Sequence, residues 1–350
     1  MAGSDYRLSF EQPIYELEAR IEKLSRLSPQ TPETKTELRR LRRDLTSKKK
    51  EVYANLTASE TVQVARHLDR PMTTDYLELV FDEFVELHGD RTFGDDRAIL
   101  TGWAKLDSFK VMVVGHQRGK NLKQRNACYF GCAHPEGYRK AMAKMNLAAK
   151  FGLPVICLID TPGAYPGIGA EERGQAQVIA RSMFEMSRLP IPIICIVIGE
   201  GGSGGALAIG VGDHVAMLEH ACYSVISPEG CAGILWRSHT FKDRAAEALK
   251  LTSKDLPSLG VVDGVIDEPL GGAHRNPHLM ASRLKIYLRS QLRSLIGKPA
   301  KELLDARYQR FRRLGEFLEG PVETDTSAPA EKKVAGPKRE SRVADVVKSH

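Results

Sequence analysis

Two glycine-rich segments hold the residues best suited to chemistry. The first is Gly199-Glu200-Gly201-Gly202-Ser203-Gly204-Gly205-Ala206, which follows an apolar run and opens a helical one. Five glycines at a strand-to-helix junction let a ligand approach the backbone with no side chain between them. The first N–H groups of a helix have no partner inside it, and its dipole adds positive potential there. The pattern predicts an anion or oxyanion site built from backbone amides, with Gly204 and Gly205 as donors and Gly202 and Ser203 beside them. A tight turn would explain one glycine pair, but five at one junction favour a site.

The second segment is Asp160-Thr161-Pro162-Gly163-Ala164-Tyr165-Pro166-Gly167, again at the end of an apolar run. Its prolines stiffen the loop and its glycines let it turn sharply. In open α/β folds, ligands gather beyond the carboxyl ends of strands. The two segments, Gly163, Ala164, Tyr165 and Pro166 included, are therefore expected to line one cleft. A rigid connector is the plainer alternative.

Other groups have competing readings. Gly201-Gly202-Ser203-Gly204-Gly205 also fits the nucleophile-elbow pattern Gly-x-Ser-x-Gly. A serine hydrolase using Ser203 would need a later Asp and His, such as Asp263 with His274 or His278. His274 is otherwise read as a hydrogen-bonded structural histidine. Glu171, Glu172 and Arg173 could form an ion-pair network that fixes the cleft, but a helix start from Glu171 is preferred, since acidic side chains favour a helix N-terminus. Arg118, Lys120, Lys123 and Arg125 form a basic run that could meet phosphates, a partner chain or only water.

Elements must position these groups. Ile14, Leu17, Ile21, Leu24 and Leu27 predict a helix over 10–27, and Leu38, Leu41 and Leu45 a basic one over 33–53. They read as a hairpin whose narrow apolar stripe needs another surface. Helices are expected at 59–67, 74–88, 135–151 and 171–188, and strands at 98–106, 110–116, 153–160, 191–198, 215–218 and 223–226. Helical character is expected at 206–211, a short helix from Pro228, and further helices from Pro277 to about 318. The repeat of strands and helices indicates a layered α/β domain with parallel strands. The organisation expected is a helical extension at 1–70, a main domain at 71–320 and a disordered tail at 321–350.

Composition bounds the rest. The chain has 350 residues, 42% of them hydrophobic, and a formal charge of +7. That balance suits acidic partners, and a nucleotide-bearing ligand fits as well as nucleic acid. Nucleic acid is kept as a secondary partner, because no RNA-binding signature is present. The six cysteines contain no Cys-x-x-Cys pair, so a four-cysteine zinc site on this chain is not expected. No apolar run reaches about 18 residues, so no membrane span is expected. With no apolar or arginine-rich leader, the expected location is cytoplasmic.

Residues 160–167, 169–174, 199–210, 223–231 and 269–277 together closely resemble the alpha subunits of bacterial-type acetyl-CoA carboxylase carboxyltransferase. The resemblance runs from about 10 to 318, with the motifs in family order. It implies a crotonase-like fold, a spiral of ββα repeats with an N-terminal helical hairpin and C-terminal helices. It implies transfer of a carboxyl group from carboxybiotin to acetyl-CoA, with Gly204 and Gly205 matching the hole for the biotin carbonyl. It further implies a beta subunit in an α2β2 assembly, zinc only on that partner, and a separate biotin carboxyl carrier protein and biotin carboxylase.

Overall fold

In this computed structural model residues 6–27 and 31–315 are described. The tail expected at 321–350 lies outside them, as does most of the break between the first two helices. The hairpin is α1 (Gln12–Ser25) and α2 (Pro32–Ala54). The Thr31 hydroxyl caps α2 by accepting from the Thr34 N–H at 3.2 Å. The narrow stripe finds its second surface on the body of the chain. Leu8, Ile14 and Tyr53 are buried with Leu56 and Val64. Arg275 grips the hairpin, with Nη2 2.8 Å from Glu11 and Nη1 2.8 Å from Glu18.

Next come α3 (Ala58–Ala65) and α4 (Thr73–Val80). The helix expected at 74–88 stops early. Phe81 turns extended at φ −98°, ψ 144°, and β1 (Glu83–Glu86) follows. Its alternating Glu83-Phe84-Val85-Glu86 pairs antiparallel with β2 (Ile99–Leu106), so cross-strand pairing overrides the helical reading. β2 and β3 (Phe109–His116) form a hairpin through Asp107 at φ 53°.

The remaining order is α5 (Leu122–Ala127), α6 (Pro135–Lys150), β4 (Val155–Thr161), α7 (Ile168–Glu172), α8 (Gln175–Arg188), β5 (Ile193–Gly202), α9 (Ser203–Leu207), β6 (His214–Leu218), β7 (Cys222–Ser224), α10 (Pro228–Trp236), α11 (Lys242–Leu249), β8 (Gly264–Ile266), α12 (Pro277–Leu295) and α13 (Ala300–Arg312). The single helix expected at 171–188 is two, because Gly174 takes a left-handed φ of 81° between α7 and α8.

The sheet order is β1-β2-β3-β4-β5-β6-β8, with β7 paired to β5. From β3 onward every pairing is parallel. β4 and β5 are buried along their whole length, as central parallel strands should be. β5 runs four residues past the expected strand. Its first half pairs with β6, and Glu200–Gly202 pair with Cys222–Ser224 of β7. Gly199, Gly201 and Gly202 are thus strand residues, and only Gly204 and Gly205 belong to the helix. Cys157 and Cys195 sit in register at the centre of β4 and β5, fully buried and unbridged. Among the described residues no helix is long and apolar enough to cross a membrane.

Candidate active site

β4 and β5 end together, with Thr161 opposite Gly201. The two glycine-rich segments therefore meet, and their contact is backbone on backbone. A Cβ on Gly202 would fall 2.2 Å from the Pro162 carbonyl oxygen. One on Gly205 would fall 2.6 Å from both Gly163 C and Ala164 N. Gly204 differs: its Cβ would meet only Ile179, at 3.5 and 3.6 Å, which is ordinary contact. Ser203 opens α9 at a left-handed φ of 49°, unusual for a residue with a Cβ. Among the described residues, the Gly204 and Gly205 N–H groups donate to no side chain and to no carbonyl outside their own helix.

The facing loop is held by one hydroxyl and one ring stack. Buried Thr161 places Oγ1 2.7 Å from the Gly131 carbonyl and 2.8 Å from the Gly163 carbonyl, and accepts from the Gly163 N–H at 3.1 Å. The Tyr165 N–H donates to the Ala133 carbonyl at 3.0 Å. Its ring stacks on His134 at 4.1 Å, with Tyr129 edge-on at 5.4 Å. Gln175 donates to the Ala133 and Tyr165 carbonyls at 2.8 and 3.1 Å. Pro166 closes the loop ahead of α7. Sequence reasoning missed Tyr129 and Phe130, which stand with Gly131 in three consecutive left-handed positions. Only Gly131 signals such a turn in the sequence.

Charges brace the strand ends below. Asp160 Oδ1 accepts from the Glu200 N–H at 3.0 Å and from Arg118 Nη1 at 3.3 Å. Burial pushes the Asp160 carboxyl above the usual range, and Arg118 and the Glu200 amide offset part of that. Glu200 lies 2.6 Å from Arg66, which also meets Glu229 at 2.9 Å. Burial would lower the Arg66 pKa, but the two carboxylates outweigh it and raise it. His116 ends β3 fully buried, and neither ring nitrogen has a hydrogen-bond partner among the described residues. Burial pushes it down to about 3, with the Gly205 backbone acting the other way.

The remaining candidates separate. The helix begins three residues before the expected start, at Ile168, so Glu171 lies in the first turn of α7 and Glu172 ends it. Arg173 instead pairs with Glu136 at 2.5 Å and lies over the Phe93 ring. His274 is stacked on His67 at 4.0 Å, and both its ring nitrogens lack partners among the described residues, so it is not the hydrogen-bonded histidine expected. The serine hydrolase alternative finds no support. Asp263 is taken by the Val215 N–H and Arg310, His278 is exposed on α12, and none of Asp263, His274 and His278 hydrogen-bonds to Ser203. An apolar cavity of about 360 Å³ that sequence reasoning did not anticipate lies beside Ser203, walled by Leu207, Tyr223, Val225 and Phe311. Among the described residues no group of three or more His, Cys, Asp or Glu side chains could hold a metal ion.

Known proteins match this arrangement. Residues 7–315 fit the family described as acetyl co-enzyme A carboxylase carboxyltransferase-like. The chain is 64% identical over 319 residues to the acetyl-coenzyme A carboxylase carboxyl transferase subunit alpha of Rhodopirellula baltica, covering 91% of this chain and 99% of that one. It is 52% identical over 317 residues to the same subunit of Geobacter metallireducens, covering 91% and 100%. Among solved structures, a Pseudomonas malonate decarboxylase hetero-tetramer with coenzyme A aligns at TM-score 0.55 and 18% identity, covering 68% of this chain and 96% of that one. A transcarboxylase 12S structure aligns at TM-score 0.50 and 23% identity, covering 64% and 44%. These two share the crotonase-like fold. With a family match running from the hairpin through α13, and relatives 64% and 52% identical over nine-tenths of its length, the chain belongs to the acetyl-coenzyme A carboxylase carboxyltransferase alpha subunits.

Proposed function

We propose that this chain is the half of the carboxyltransferase that receives carboxybiotin, with the Gly204 and Gly205 N–H groups holding the ureido oxygen. Carboxybiotin, borne on a separate biotin carboxyl carrier protein, supplies the carboxyl group, and acetyl-CoA accepts it to give malonyl-CoA for fatty acid synthesis. The observation that carries this reading is the pair of uncommitted amides at the start of α9, set against the Gly163–Ala164 backbone.

The chain's residues suit such a role. The Gly204 and Gly205 dipoles are fixed before any ligand arrives, so stabilising a developing negative charge needs little reorganisation. Gly204 leaves the approach open, while Gly163, Ala164, Tyr165 and Pro166 form a stiff opposite wall. Gly202 and Ser203 set the direction of the first turn. No side-chain base is assigned: positioning and aligned dipoles carry the reaction.

The beta subunit completes the site, and an α2β2 assembly with zinc on beta alone is part of the same proposal. So are a separate biotin carboxylase and a cytoplasmic location. The test is Gly204→Val in the full chain assembled with its beta partner. Malonyl-CoA formation should fall by at least about 100-fold, the scale of losing an oxyanion donor, while assembly persists. Undiminished turnover would refute the assigned hole.

A further inference from the structure

Behind the strand ends lies a second, smaller cavity of about 60 Å³. Arg66, Arg70, Arg118, Arg125, Phe130 and Asp160 are among the residues that line it. Four guanidinium groups around so small a space present many directed donors. Two of the four are satisfied. Arg66 spends three nitrogens on Glu200 and Glu229. Arg70 spends three on the Ile198 carbonyl and Glu268.

The other two are not. Arg118 uses only Nη1, on Asp160 at 3.3 Å and Glu200 at 3.4 Å, both long for charged hydrogen bonds. Its Nε and Nη2 have no acceptor among the described residues. Arg125 uses only Nε, on the Gly119 carbonyl at 3.1 Å, which leaves both terminal nitrogens without one. Two half-spent forks thus border a space with room for a small oxyanion group.

We propose that this cavity binds a single phosphate-type oxyanion between Arg118 and Arg125. A tetrahedral oxyanion offers each fork a pair of acceptors, the geometry for which arginine is suited. Asp160, Glu200, Glu229 and Glu268 balance the four arginines, so what draws the anion is unspent directional donors, not a large net charge. The bound group would tie the basic segment at 118–125 to the base of β4. It can be free phosphate or the terminal phosphate of a nucleotide-bearing ligand.

The test is calorimetric titration of the full chain, assembled with its beta partner, with inorganic phosphate at constant ionic strength. One saturable site per chain is expected, weakened on the order of tenfold or more in Arg125→Met, since charge-assisted hydrogen bonds are lost. Arg125 is half-buried and outside the carboxylate network, so that variant should fold. Arg118→Lys provides a second, independent loss of the fork. Competition by 3′,5′-ADP assigns the group to a nucleotide-bearing ligand, and phosphate binding unaffected by it assigns it to free phosphate. Absence of saturable phosphate binding, or unchanged affinity in Arg125→Met, overturns the proposal. No turnover is read, so the outcome does not depend on the proposed reaction.

Discussion

Gly204 and Gly205 are neighbours with the same side chain and different jobs. Gly204 has ordinary room for a Cβ against Ile179, whereas Gly205 would drive one into the Gly163–Ala164 backbone. Gly204→Ala should therefore melt within about 0.5 kcal/mol of the parent, as surface-like changes do. Gly205→Ala should lose about 1–3 kcal/mol through overpacking against atoms that cannot rotate away. Denaturant midpoints of the two variants test this, and equal stabilities would contradict it. The sequence pointed to this glycine pair, but it could not tell the two apart, because the difference lies in a loop some 40 positions earlier. His116 and His274 belong to the same scale. Burial depresses them from 6.5 to about 3 and about 2. Between those values and 6.5 the unfolded chain binds protons that the folded chain refuses. Stability should hold above 6.5 and decline as pH falls below it, by at most about 1.4 kcal/mol per unit for each ring. Midpoints at about pH 7.5 and about pH 5.5 check the sign, and a flat profile would rule it out.

The long amphipathic elements α1, α2, α6 and α12 were legible because their apolar periodicity spans several turns. β1, β8 and α11 were not, since three- or four-residue strands and a short helix carry little periodic signal. β5 shows a different limit. Its glycines look like a loop, yet Glu200–Gly202 stay extended because β7 arrives to pair with them. That tertiary pairing delivers α9 to the loop after β4. Thr161 then locks the arrangement, joining the left-handed turn at Gly131 to Gly163 through one buried hydroxyl. Thr161→Val keeps the shape and removes the hydroxyl, leaving buried carbonyls short of a donor. It should cost about 1–3 kcal/mol and lower carboxyl transfer, whereas Thr161→Ser should retain most of both. Equal behaviour of the two variants would show that the hydroxyl does not position the loop.

At the scale of the whole molecule, the candidate site lies at the carboxyl ends of the central strands β4 and β5, and an alpha subunit depends on a beta partner. The sequence announced that dependence through its family likeness, but not which surface carries it. Val225, just past β7, and Ile234 and Leu235, at the end of α10, are 74%, 72% and 63% exposed. Val225 also walls the apolar cavity beside Ser203. Large apolar side chains left in water close to a ligand cleft mark a surface that a partner covers. α10 keeps its own core contacts through buried Cys231 and Ala232, while Leu235 stays largely exposed. Leu235→Asp should therefore leave the isolated chain's melting curve within about 0.5 kcal/mol of the parent. The same change would bury an unpaired carboxylate at the contact and weaken binding to the beta subunit by about 2 kcal/mol or more, a shift of some 30-fold. Sedimentation of the mixed subunits reads that shift directly. Assembly as tight as the parent's would move the partner surface away from α10.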